Sequence, residues 1–247
     1  MKKIIYLAGL AIAISGCKKD DCPAPVTPTA DNSRTFKVLV ENISTTTTLQ
    51  TGAMPDRSVP LSHGVYAVYA SGSLFTLGQA ADEGIQRIAE DGMTTVKTDV
   101  LNNMSGIFDH GEFVAPGGPD NGSALFMGES SMFMISAKPG DKLQIASMFV
   151  QSNDWFYGFG EGGLALFNGT TAITGDVSSK LVLYDAGSEL DEAPGLGTTQ
   201  KPDQQPMDMN IGPNDGTTII TDAMVRHSAT FTIPATNMVI RVTVTPQ

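Results

Sequence analysis

The sequence predicts an all-β fold, an antiparallel β-sandwich of the jelly-roll kind that carries one short helix. Short runs in which apolar and polar residues alternate recur along the chain. Turn residues separate these runs, such as Lys-Pro-Gly-Asp at 138–141, and a single segment has helical spacing. Many short strands joined by glycine-rich turns are typical of sandwiches and jelly-rolls.

The first strand has the clearest pattern. Phe36, Val38 and Val40 fall on one side of an extended chain, whereas Lys37 and Glu41 fall on the other. One face of this strand is therefore expected to be buried and the other to meet solvent. Similar β-rich runs predict further strands at 65–70, 132–137, 143–150, 181–184, 229–233 and 238–245.

One segment departs from the two-residue period. Ala81, Ile85 and Ile88 recur at helical spacing. Asp82 stands where a helix would begin, and Gly92 stands just after its end, where glycine commonly terminates a helix. The sequence therefore predicts one short helix in this segment.

The N-terminus has the layout of a bacterial signal peptide. Lys2 and Lys3 precede an apolar run over residues 4–14, which is shorter than the roughly 20 residues of a membrane-spanning helix. The tetrad Ile-Ser-Gly-Cys at 14–17 resembles the bacterial lipobox, whose cysteine becomes the first, lipid-bearing residue of the mature protein. We therefore predict a signal peptide over 1–16 and a diacyl or triacyl anchor on Cys17 that holds the protein to a membrane.

Residues 17–34 are predicted to form a flexible tether, and residues 35–247 the folded domain. The tether is rich in proline and threonine and poor in apolar side chains, so it cannot bury a core. The basic and then acidic residues at 18–21 resemble the surface-export signal of Bacteroidetes lipoproteins. This resemblance implies an anchor in the outer membrane of the cell envelope, with exposure at the cell surface as one expected outcome.

The charge of the chain excludes one class of partner. The formal net charge is −11, and because Lys2 and Lys3 contribute +2 to it, the chain without its signal peptide carries −13. Such a surface repels nucleic acid and attracts cations, so we expect no nucleic-acid partner. The two cysteines, Cys17 and Cys22, both lie outside the predicted domain, which therefore has no disulfide framework.

Signatures of common enzymes are absent from the sequence. It contains no Gly-x-Ser-x-Gly element, no His-Glu-x-x-His element and no phosphate-binding loop. The histidines at 63, 110 and 227 lie far apart, so we expect surface or core-edge residues rather than metal ligands. A pair of loop carboxylates could still act in glycoside hydrolysis. The candidates for such a pair are Asp109, Glu112, Asp120 and Glu161.

Acidic residues follow two of the predicted strands. Asp154 comes shortly after the strand that ends at 150, and Asp185 and Glu189 follow the strand that ends at 184. Calcium takes six to eight oxygen ligands, which loop carboxylates, backbone carbonyls and water supply. Spacing alone favours a simpler interpretation, in which Asp154 and Asp185 cap turns through nearby backbone amides.

At these residues the sequence resembles the spondin N-terminal domain family, including its bacterial lipoprotein members. The resemblance covers nearly the whole predicted domain, in order. Its most specific parts are Asn-Asp-Trp at 153–155 and Asp-Ala-Gly-Ser-Glu at 185–189, which looks like the family's Asp-Ala-Gly-Thr-Asp/Glu. The matching stretches lie at 36–42, 80–85, 89–92, 115–118, 139–155 and 184–189.

The family resemblance implies a β-sandwich similar to calcium-dependent phospholipid-binding domains. It also implies a Ca²⁺ site at Asp154, Asp185 and Glu189, and this reverses the preference given by spacing alone. The chain departs from animal members in having Ser188 and Glu189 where they have threonine and aspartate, and it lacks their cysteines.

The expected function is that of a cell-envelope lipoprotein with a calcium-binding, non-enzymatic binding or adhesion module. Its expected partners are the membrane, through the lipidated cysteine, and a protein or glycan ligand whose identity the sequence does not give. Two alternatives stay open: a carboxylate-dependent glycan hydrolase, and a structural envelope protein without a specific ligand.

Overall fold

The structure consists of two antiparallel sheets and a helical layer. The computed structural model describes residues 32–52, 55–116, 124–201 and 212–247, which belong to a compact unit that begins at Asn32. The predicted signal peptide, the predicted lipidation site Cys17 and the predicted tether up to residue 31 lie outside the described residues. In the described ranges, no helix combines the length and the apolar composition needed to cross a membrane.

Thirteen strands and three α-helices are found among the described residues. The strands are β1 (Arg34–Asn42), β2 (Leu61–Tyr69), β3 (Ile107–Phe113), β4 (Ser130–Ala137), β5 (Lys142–Phe149), β6 (Trp155–Phe159), β7 (Leu164–Ala165), β8 (Phe167–Asn168), β9 (Thr171–Ala172), β10 (Gly175–Asp176), β11 (Leu181–Asp185), β12 (Thr221–Asp222) and β13 (Ile240–Pro246). The helices are α1 (Glu83–Asp91), α2 (Thr95–Asn102) and α3 (Ala223–His227).

Every strand pairing in the described residues is antiparallel. The small sheet has the order β10-β13-β1-β4, and the large sheet has the order β12-β11-β6-β5-β2-β3, with β7 beside β5. A separate hairpin pairs β8 with β9. The predicted all-β antiparallel sandwich is confirmed.

Burial differs between the two sheets for a physical reason. In β4 of the small sheet, exposed and buried residues alternate, because one face of this sheet meets solvent. In β5 and β6 of the large sheet, nearly every residue is buried, because the small sheet covers one face and α1 and α2 cover the other. The large sheet is therefore the central layer of the molecule.

Helix α1 begins and ends where the sequence predicts. The Asp82 carboxylate caps it by accepting a hydrogen bond from the Ile85 backbone at 2.9 Å. Gly92 ends it in the left-handed conformation, with φ of 69°. Ile85 and Ile88 are buried against the outer face of the large sheet. These contacts fix the helix across the central strands.

The structure corrects some details of the sequence prediction. Helices α2 and α3 accompany the single predicted helix, and β3 and β6 form where no strand was predicted. The predicted strand at 229–233 is wrong, since this segment is turn and irregular chain after α3. Its apolar residues Phe231 and Ile233 pack against the sandwich core without strand pairing.

The start of β1 lies far from the end of the sheet that carries Asp154. Arg34 pairs with Ala137, from which a short turn leads to Lys142 at the start of β5. Strand β5 ends at Phe149, and Asp154 follows shortly after it. An eight-residue antiparallel strand spans roughly 25 Å. The folded chain therefore begins at one end of the sandwich, and the predicted calcium ligands Asp154 and Asp185 lie at the other.

We predict that Asp82→Ala lowers the free energy of unfolding by about 2 kcal/mol. The substitution removes the cap of α1, and it also removes the carboxylate that accepts a hydrogen bond from Lys97 Nζ at 2.5 Å. The Lys97 side chain is only 1% exposed, and its burial lowers its pKa. Urea denaturation measures the effect.

Two further variants separate the cap from the ion pair. Asp82→Asn keeps a capping oxygen and should lose only part of the stability. Lys97→Met in the Asp82→Ala background removes the unpaired buried ammonium and should restore part of the loss. A double variant no more stable than Asp82→Ala would show that the ion pair contributes nothing.

Candidate metal centre

A tight turn places Asp154 at the start of β6. The Ser152 hydroxyl donates to the Phe149 carbonyl at 2.7 Å and accepts from the Trp155 backbone N–H at 3.0 Å. These two bonds close the loop between β5 and β6. Trp155 then begins β6 with its ring fully buried in the sandwich core.

Asp154 is a fully buried carboxylate with one paired oxygen. Its Oδ2 accepts from the Ser188 N–H at 2.7 Å, the Ser188 hydroxyl at 3.0 Å and the Glu189 N–H at 2.9 Å. Its Oδ1 is buried and has no hydrogen-bond partner among the described residues. Burial, followed by the nearby charges of Asp185 and Asp191, raises the pKa of Asp154 well above its ordinary value.

Asp185 ends β11 directly opposite Trp155. Its Oδ1 accepts from the Gly187 N–H at 2.6 Å, so the chain turns sharply after the strand. Gly187 has φ of +69°, and a Cβ there would lie 2.5 Å from the Ile219 carbonyl oxygen. Only glycine meets both requirements, which explains its place in the 185–189 element.

Two cationic side chains reach Asp185 from α3. Arg226 donates to Asp185 Oδ2 at 2.6 Å, and His227 Nε2 lies 2.8 Å from the same oxygen. Arg226 also pairs with Asp215. His227 Nε2 lies 3.0 Å from Asp191 Oδ2, so the imidazole stands between two carboxylates.

The environment of His227 favours a charged ring. Burial alone lowers its pKa, but the hydrogen bonds and charges of Asp185 and Asp191 outweigh burial and raise the pKa to about 9. The imidazole also stacks against the Trp155 and Phe231 rings, at centroid distances of 5.3 and 5.6 Å. These ring contacts hold the imidazole in position, and its raised pKa favours the charged form.

Glu189 faces a different group of neighbours. It is 1% exposed, and its Oε1 accepts from the Gly212 N–H at 3.0 Å. Burial, followed by the charge of Glu90 on α1, raises the pKa of Glu189 to about 7. The Glu189 carboxylate therefore lies toward the helical layer. The backbone N–H of Glu189 donates to Asp154.

The structure brings the three predicted calcium ligands into one region without placing their carboxylates around one point. Asp154 and Asp185 interact electrostatically, while Glu189 is hydrogen-bonded to Gly212. Among the described residues, the acidic and histidine ligand atoms that converge within 4.8 Å belong to Asp185, Asp191 and His227.

Sequence reasoning missed Asp191, Arg226 and His227. Asp191 could have been found, because it continues the acidic loop that begins at Asp185. The two residues of α3 lie more than 40 positions from Asp185 along the chain, and no local pattern marks them.

The hydrolase candidates are dispersed. Asp109 accepts from the Ser136 backbone at 2.9 Å, and Glu112 accepts from the Thr98 hydroxyl at 3.0 Å. Glu161 lines a groove of about 490 Å³ at the end of the sheet remote from Asp154. Asp120 lies outside the described residues.

Comparison with known proteins gives no further assignment. No protein-family model matches this chain, and no curated protein matches it significantly.

We predict that, with a chelator present, the free energy of unfolding falls as pH rises from about 6.5 to about 9. The folded state holds the His227 proton more tightly than the unfolded state, so this stabilisation is complete below 6.5 and is lost as pH passes the folded pKa. Urea denaturation across this range measures the slope.

His227→Gln keeps a side-chain donor but removes the titration, so its slope over this range should be shallower. His110→Gln, on the outer face of β3, is the matched control and should keep the slope of the unsubstituted protein. Equal slopes for all three proteins would contradict the assignment to His227.

Proposed function

We propose that this chain is a lipid-anchored cell-envelope protein whose sandwich is a spondin-like, calcium-stabilised module with a non-enzymatic binding or adhesion role. Calcium would be held at the end of the large sheet by Asp154, Asp185 and Glu189, whose carboxylates would turn toward the ion on binding, with backbone carbonyls and water completing its shell. The ion would supply positive charge that keeps the carboxylates ionised and connects the two loops.

The observation that carries the proposal is the unpaired Oδ1 of Asp154. An ionised carboxylate without exposure needs a compensating charge or a full set of hydrogen bonds. The Ser188 and Glu189 donors satisfy only Oδ2, and the charges of Asp185 and Asp191 add repulsion. A divalent cation bound here would reverse each of these unfavourable interactions.

Burial argues against glycoside hydrolysis by these three carboxylates. Asp154 and Asp185 are 0% exposed and Glu189 is 1% exposed, so a sugar ring has no access to these carboxylates. The raised pKa of Glu189 would suit a general acid, but a general acid must come within hydrogen-bond reach of its substrate. A small desolvated ion is the better match to this environment.

The arrangement of the sandwich suits display from a membrane. The folded chain begins near Arg34, at the end opposite to Asp154 and Asp185. An anchor on Cys17 would reach the domain through the predicted flexible tether, which joins it at this end.

We predict that Ca²⁺ at a hundred times its dissociation constant stabilises the protein by about 2.7 kcal/mol. For a domain of this size, the gain raises the midpoint of thermal unfolding by roughly 5 to 10 °C relative to chelator. Asp154→Asn and Glu189→Gln preserve shape while removing charge, so each should lose most of the shift.

Asp99→Asn is the control for this series, since Asp99 is an exposed carboxylate on α2. It should keep the full calcium shift. An unchanged midpoint in the unsubstituted protein across millimolar calcium would exclude the calcium site.

The proposed lipid anchor on Cys17 can be tested separately. In cells supplied with a labelled fatty acid, the chain should incorporate label and fractionate with membranes. Cys17→Ser should abolish both, whereas Cys22→Ser, five residues further on, should leave both intact. Label retained by Cys17→Ser would refute lipidation at this cysteine.

A further inference from the structure

Asp185, Asp191 and His227 have the spacing of ligands around a small metal ion. His227 Nε2 lies 2.8 Å from Asp185 Oδ2 and 3.0 Å from Asp191 Oδ2, and the ligand atoms all lie within 4.8 Å of one another. Ligand atoms at zinc distances in a tetrahedral shell are about 3.3 Å apart. The two distances from His227 Nε2 are within about 0.5 Å of this separation.

The other atoms of these side chains are already held. Asp185 Oδ1 accepts from the Gly187 N–H at 2.6 Å, and Asp191 Oδ1 accepts from Trp155 Nε1 at 2.5 Å. The imidazole is stacked against Trp155 and Phe231. Outer partners of this kind orient metal ligands and tune their affinity.

The ion pairs of Asp185 and Asp191 do not account for every carboxylate oxygen in this region. Arg226 and a charged His227 balance Asp185 and Asp191. They do not balance Asp154, which is 0% exposed, has an unpaired Oδ1 and lies close enough to both aspartates for their charges to act on it. Asp191 Oδ2, one of the three ligand atoms, is likewise buried without a hydrogen-bond partner among the described residues, so part of its coordinating capacity is unused.

We propose that Asp185, Asp191 and His227 form a site for a first-row transition-metal dication, with Zn²⁺ as the representative ion. A ligand set that includes an imidazole nitrogen suits zinc, copper, nickel or iron, whereas calcium prefers oxygen ligands alone. The site shares Asp185 with the proposed calcium site but does not use Glu189. It goes beyond the proposed function and does not depend on calcium binding.

The test is calorimetric titration of the full chain, purified in detergent and stripped with chelator, with Zn²⁺ alone and with Ca²⁺ alone. Zinc should bind at one site. Asp191→Asn and His227→Gln should each weaken zinc binding by at least about tenfold, since each removes a direct ligand. Glu189→Gln should leave zinc affinity unchanged while it weakens calcium.

The controls separate this site from others. His63→Gln and His110→Gln should leave zinc affinity unchanged. Absence of zinc binding, or zinc binding that survives both Asp191→Asn and His227→Gln, would overturn the proposal. Zinc binding without a calcium response would refute only the calcium module, and calcium binding without zinc binding would refute only the present site.

Visible absorption of the Co²⁺-substituted protein provides a readout that does not depend on any variant. Four-coordinate cobalt with a nitrogen ligand should give intense bands that zinc abolishes by displacement. A spectrum identical to that of aqueous cobalt would contradict ligation by His227.

Discussion

The buried carboxylate of Asp154 holds together the two acidic loops at one end of the large sheet. By accepting hydrogen bonds from the backbone of Ser188 and Glu189, it joins the start of β6 to the loop after β11. Burial at this position raises the pKa of Asp154 and makes its ionised form costly unless both oxygens are paired. Among the described residues, its Oδ1 has no hydrogen-bond partner. The proposed cation would compensate this oxygen.

Strand β1 alternates between exposed and buried residues, and its alternation of polar and apolar side chains is visible in the sequence. Strand β5 is almost wholly buried, yet its β-rich run also predicted it, at 143–150. Strand β6 is buried on both faces, and its run of aromatic residues has no alternation, so no strand was predicted there. The wrong strand at 229–233 has the opposite cause: Phe231 and Ile233 are apolar because they cover the core, although their backbone pairs with no strand. Burial and pairing are separate requirements, and composition reports only the first.

The sequence predicted those residues of the candidate site that lie next to the end of a strand. Asp154 and Asp185 stand beside β6 and at the end of β11, where a sheet of antiparallel strands brings distant loops together. The direction in which Glu189 points was not predictable, because it depends on the close approach of Gly212 and Glu90. His227 was unpredictable for a similar reason. A five-residue helix delivers it to Asp185 across 42 positions of sequence, and such a contact leaves no local periodicity.

Arg226 and His227 supply positive charge at Asp185 without any added ion. Both reach Asp185 Oδ2, so the chain itself balances this carboxylate before any cation arrives. The apolar core between the sheets contains none of these charges, and its burial provides most of the driving force for folding. An ion bound at a proposed site would add stability through its preference for the folded state. Because Arg226 donates to the oxygen of Asp185 that a metal would use, it would lower the metal affinity of the proposed site, and it offsets the repulsion among the carboxylates when no ion is bound.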